Sequence, residues 1–95
     1  MKALAKGSFE IGEIVKATAG RDKNKLFIVM AVIDDDYVWI VNGANRTIDK
    51  PKKKKNKHLK SMGTYDYRIR EKLLTGKQVF DSEICKVLEA LGYNE

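Results

Sequence analysis

The chain has 95 residues, of which 43% are hydrophobic and 34% charged, with a formal net charge of +6. That length holds one domain, or a small domain with an appendage, and the composition is that of a globular protein with a heavily charged surface. The positive balance points to polyanions as partners, nucleic acid first and anionic membrane second. No apolar run approaches the ~20 residues of a membrane span, and Met1 to Ser8 lacks the apolar centre of a signal peptide, so the expected location is cytoplasmic.

Taken in chain order, the pattern predicts five short strands followed by helix. The first strand is expected over 9–18, with Ile11 and Val15 on one face, Glu10 on the other, and Gly12 marking a bulge or bend. The segment 18–25 follows as a glycine-centred basic turn. Gly20 tolerates the positive φ at which a strand reverses, and Asn24 is the next most tolerant type. Arg21, Lys23 and Lys25 crowd this turn against a single acid, Asp22, and a tight turn with three cations offers phosphates a rigid donor cluster. A charged turn without a ligand is the plainer alternative.

The second strand, 26–33, is apolar throughout, which suits a strand buried on one face and covered on the other by loop or helix. Asp34, Asp35 and Asp36 form the polar turn that ends it. The third strand, Tyr37 to Val41, is β-branched and aromatic. Val38 and Ile40 face inward in this reading, leaving Tyr37 and Trp39 outside, either to cover the barrel against the C-terminal helix or to stack on a base. Asn42 and Gly43 signal a turn. A short fourth strand is expected at 46–48 and a fifth at 57–60. Between them, Lys52, Lys53, Lys54 and Lys55 repel one another and predict a mobile, solvated loop. The basic stretch 46–60 holds eight cations, among them Arg46, Lys50 and Lys57, against one acid, Asp49. It reads as an electrostatic arm for phosphate, or else as a solubility feature. Five short strands joined by tight turns fit a small SH3-like barrel.

The last third is predicted helical. One helix is expected over 66–74, with Ile69, Leu73 and Leu74 at helical spacing and Gly76 as a stop. A second starts from Asp81 as N-cap and carries Ile84, Val87, Leu88 and Leu91 at i, i+3, i+4 and i+7, with Gly92 just past its end. About eleven residues are marginal as an isolated helix, so this one should dock on the barrel with Phe80 and Cys85 in the contact. Tyr65 and Tyr67 are expected to pack at the junction. The division is a barrel at 1–62 and a helical appendage at 63–95.

Cys85 is the only cysteine and His58 the only histidine. They cannot assemble a zinc ligand set, so Cys85 reads as a core thiol and His58 as a strand residue bonded locally or touching phosphate. The three clustered aspartates carry no histidine, cysteine or phosphate loop beside them. No enzyme, cofactor or metal is expected.

The run from Ile14 to Val29, strand, basic turn and strand, resembles a KOW motif, in which two strands of an SH3-like barrel are joined by an RNA-contacting loop. Residues 9–60 are similar to the KOW-containing module of large-subunit ribosomal protein fourteen-e and its small bacterial relatives. The likeness lies in Gly12-Glu13-Ile14-Val15, Ala19-Gly20-Arg21-Asp22, the apolar 26–33 before an acidic turn, Trp39-Ile40-Val41-Asn42-Gly43, and the basic stretch ending in His58-Leu59. Many KOW loops have glycine where this chain has Asn24. The resemblance implies binding of structured RNA, ribosomal RNA or the ribosome foremost, and a place in translation; a cytoplasmic monomer is expected. The residues in this role would be Arg21, Lys23, Lys25, Arg46, Lys50, Lys52, Lys53, Lys54, Lys55, Lys57 and His58. An SH3-like protein-interaction module and a duplex-DNA regulator are the alternatives.

Overall fold

The computed structural model describes residues 8–91. Its elements are β1 (Glu13–Ala17), β2 (Leu26–Val32), β3 (Tyr37–Val41), β4 (Lys52–Lys55), a 3-10 turn (Asn56–His58), β5 (Leu59–Tyr65), α1 (Tyr67–Leu74) and α2 (Asp81–Ala90). The strands make one antiparallel sheet in the order β4-β3-β2-β1-β5. β4 and β5 are thus its opposite edges, yet a single 3-10 turn joins them. Across a flat sheet those edges would stand about 19 Å apart, whereas three residues of 3-10 helix rise only about 6 Å. The sheet therefore curls upon itself into a small SH3-like barrel.

Alternation along the strands builds two cores. Val15, Ala17, Phe27, Val29, Val38, Ile40 and Leu59 point inward and close around Phe9. On the outer face, Ile14, Leu26, Ile28 and Val41 meet Ile69 of α1, Val79 of the connector, and Ile84 and Leu88 of α2. This explains why β2 is apolar over its first five residues: Phe27 and Val29 fill the barrel while Leu26, Ile28 and Met30 lie under the helices, whereas Val32 at its end is exposed. At the junction the Tyr65 and Tyr67 rings stack with centroids 5.9 Å apart.

Several elements depart from the sequence expectation. β1 begins at Glu13 rather than residue 9, because Gly12 adopts φ +87° and breaks the extended chain. A Cβ there would stand 2.5 Å from Cβ of Arg70, so only glycine lets α1 come this close. β2 stops one residue early, at Val32. Residues 46–48 are not a strand. The Asn42 side chain organises the chain after β3 into a turn instead, its Oδ1 accepting from the N–H of Ala44 (2.9 Å) and of Arg46 (3.0 Å).

The fourth strand is the lysine run itself, paired with β3 through Lys55 opposite Tyr37 and Lys52 opposite Ile40. Mutual repulsion does not melt it, because successive side chains go to opposite faces and ladder hydrogen bonds fix the backbone. Residues 57–58 belong to the 3-10 turn, and β5 runs on to Tyr65, carrying the sheet beyond the expected boundary at 62. Asp66 caps α1, accepting from the Ile69 N–H at 2.9 Å. Asp81 is the first residue of α2 rather than its cap, which is Phe80, and its carboxylate accepts instead from the Ile48 N–H at 2.9 Å. Gly92 lies outside the described residues.

Candidate nucleic-acid interface

The turn between β1 and β2 is held by its own backbone. Asn24 N–H donates to Ala17 O (2.7 Å), Lys23 N–H to Gly20 O (3.2 Å) and Lys25 N–H to Asp22 O (2.9 Å). Gly20 at φ +84° and Asn24 at φ +75° supply the two left-handed positions, as their residue types predict. Arg21 and Lys23 project from this frame, exposed and without an ion-pair partner among the described residues.

Asp22, which in sequence only dilutes the positive charge, has a structural part. It is 6% exposed, and its carboxylate lies 3.9 Å from Lys25 Nζ and 3.6 Å from Arg46 Nη2. Arg46 reaches it because the Asn42 turn folds the chain back beside the end of β3, with Asn42 N–H donating to Arg46 O at 2.8 Å. The guanidinium makes no hydrogen bond to another described residue, and its Nε is buried without an acceptor. The Arg46 side chain is 32% exposed and stands within a cluster of cations.

The lysine strand splits by face. Lys54 stands opposite the inward-facing Val38, and its Nζ crosses to the basic turn, donating to Ala19 O at 3.2 Å. Lys52 lies on the same side. Lys53 and Lys55 turn outward, where their ammonium groups sit 4.7 Å and 5.7 Å from the centre of the Tyr37 ring. The cover over Tyr37 thus comes from the neighbouring strand, and Trp39 is half-buried beside it.

The 3-10 turn completes the rim. His58 O accepts from the Thr18 N–H at 2.8 Å, tying this turn to the basic one, while Lys57 is exposed and the His58 side chain half-buried. On its other side, Asn56 donates through its backbone N–H to Asp36 O (2.7 Å) and through Nδ2 to Asp35 O (2.9 Å). The exposed aspartate turn therefore bounds the basic surface. Of the eleven expected contacts, the fold gathers Arg21, Lys23, Lys25, Arg46 and Lys54 around one turn, with Lys57 and His58 adjoining and Lys52 on the same side of its strand as Lys54. Lys53 and Lys55 are set on another face, and Lys50 on the separate turn 47–50. Asp22, Asn42 and Asn56, which orient this rim, carried no sequence signal beyond being turn formers.

Cys85 lies with Sγ 3.7 Å from Asn42 O, and burial, then the charges of Glu89 and Asp81, push its thiol up. Among the described residues no group of three or more His, Cys, Asp or Glu side chains could hold a metal ion, and no helix is long and apolar enough to cross a membrane. No family model matches the chain, and no curated protein matches it in sequence.

Proposed function

We propose that the protein binds structured RNA, without catalysis, through the rim centred on the basic turn. The observation that carries this reading is the convergence of cations from three separate segments, Arg21, Lys23 and Lys25, then Arg46, then Lys54, around one backbone-locked turn. A merely solvated surface gives no reason for an acid to be buried there to hold two of those cations. Pre-ordered cations lose less entropy on meeting phosphates. The resemblance to KOW modules makes ribosomal RNA the leading ligand, in the cytoplasm.

A salt titration of affinity for a structured ribosomal RNA fragment tests this. If the five rim cations each neutralise one phosphate, log K against log salt should fall with a slope of about −4. The double variant Arg21→Ala/Lys23→Ala should flatten that slope by about 1.5 and leave the melting temperature within a few degrees, since both side chains are exposed. A flat salt dependence, or a double variant that binds like the parent, would refute the reading. Competition by duplex DNA at equal salt separates the RNA reading from a DNA one.

A further inference from the structure

The N-cap of α2 is occupied by Phe80, at a position where Ser, Thr, Asp or Asn would satisfy an orphan N–H. The capping is done instead by Glu83, whose Oε2 accepts from the Phe80 N–H at 3.0 Å. Phe80 is 55% exposed, so it neither caps the helix nor fills the core. It forms one wall of a hollow of about 340 Å³ between the 47–50 turn and the connector of the two helices. Ile48 and Leu73 supply further apolar wall, and Gln78, Asp49 and Asp81 supply polar groups. The 47–50 side of the hollow is held in place, because Asp81 Oδ1 accepts from the Ile48 N–H at 2.9 Å and Lys50 N–H closes the turn on Thr47 O at 3.0 Å.

We propose that this hollow receives one unstacked nucleobase of the RNA held by the basic rim, a reading that rests on RNA binding itself. Its size is at the small end of ligand sites. An exposed aromatic side chain at the hollow suits base stacking. Two carboxylates would repel a phosphate but accept from an exocyclic amino group, and an amide such as Gln78 can both donate and accept along an adenine edge. In sequence the 47–50 turn follows directly after Arg46 of the rim, its last residue is the exposed Lys50, and Lys77 is one of the residues lining the hollow. Lys50 and Lys77 thus set cations beside the two acids and Phe80, which suits a nucleotide held by its phosphates with its base turned inward. RNA with a bulged or looped-out base is accordingly the preferred ligand over a continuous duplex.

The test uses two short RNA hairpins, one fully paired and one carrying a single bulged fluorescent adenine analogue, titrated with the whole protein and with Phe80→Ala, Phe80→Tyr and Arg21→Ala/Lys23→Ala. The parent should bind the bulged hairpin roughly five- to a hundredfold more tightly than the paired one. Phe80→Ala should bring the two to parity with its paired-hairpin affinity unchanged, Phe80→Tyr should keep the preference, and circular dichroism should find both folded. A parent without preference overturns the proposal, as it would if the hollow takes an aromatic side chain of a protein partner. A preference that survives in Phe80→Ala overturns it too. If paired-hairpin binding depends on Arg21 and Lys23 while the bulge has no effect, only the base site fails. If neither hairpin binds, the RNA reading fails and the base site falls with it.

Discussion

Replacing Asp22 with asparagine gives the most decisive result, because two accounts of that residue predict opposite signs. If it merely dilutes the basic turn, its removal raises the net positive charge by one and RNA should bind more tightly. A single charge about 6 Å from a phosphate in water contributes about 0.7 kcal/mol. If instead it holds Lys25 and Arg46 in place, each freed side chain must be ordered again on binding, at about 0.5–1.5 kcal/mol apiece. The net is weaker binding by about two- to fiftyfold. Stability should fall as well. Breaking a fully buried pair costs about 3–5 kcal/mol, but here the partner side chains are 32% and 44% exposed while the carboxylate is 8% exposed. About 1–2 kcal/mol is therefore the expected loss, or about 5–15 °C for a domain of this size. Fluorescence anisotropy with a structured RNA at matched salt reads the first quantity, and far-UV circular dichroism the second. Tighter binding with an unchanged melting temperature would refute the positioning role.

Gly43→Ala and Gly76→Ala place the same residue at nearly the same φ, +79° and +75°, but with different neighbours. At Gly43 the new Cβ meets Asp81 O at 2.5 Å and Cys85 Sγ at 2.9 Å, whereas Gly76 faces open space. Gly43→Ala should cost about 2–4 kcal/mol and Gly76→Ala about 1 kcal/mol, and equal melting temperatures would contradict this account. Glu83 has its carboxyl held below the ordinary value of 4.5, first by the Lys72 hydrogen bond at 2.6 Å and then by the Phe80 N–H. Because the folded value is the lower one, its contribution is complete above the unfolded carboxylate range and drains as pH falls through the lowered folded value. The melting temperature of Glu83→Gln should decline less than the parent's on acidification, and parallel curves would argue against the link. Cys85, with its thiol pushed up by burial, should alkylate slowly at neutral pH compared with a free thiol, and reaction at the free-thiol rate would place it outside the packed contact with Asn42.

What the sequence revealed and what it hid follow from how each signal is written. β3 was legible to the residue, since alternation of Val38 and Ile40 with aromatics is a period-2 pattern, and the two turn positions Gly20 and Asn24 were legible from their tolerance of positive φ. The lysine strand was hidden because four identical residues have no alternation to read; only pairing with β3 sorts Lys52 and Lys54 from Lys53 and Lys55. The 46–48 segment looked extended by composition, yet Asn42 outcompetes the ladder through two local hydrogen bonds. Phe80 offers no polar atom and so gave no cap signal. Asp22 and Arg46 lie twenty-four positions apart, and nothing local announces that the fold will bring them within 3.6 Å.

The open edge of the sheet has a colloidal consequence. Among the described residues β4 pairs with a strand on one side only, that of β3, and such an edge is the sort of template on which another chain can add a strand. Four consecutive lysines guard it, so the barrier to such addition is repulsion between like charges on approaching copies. Repulsion of that kind acts over about 10 Å at 0.1 M salt and about 3 Å at 1 M. The protein should thus be most dispersible in dilute buffer and should begin to self-associate as salt is raised, and a polyanion that neutralises β4 without covering its edge should bring about the same change.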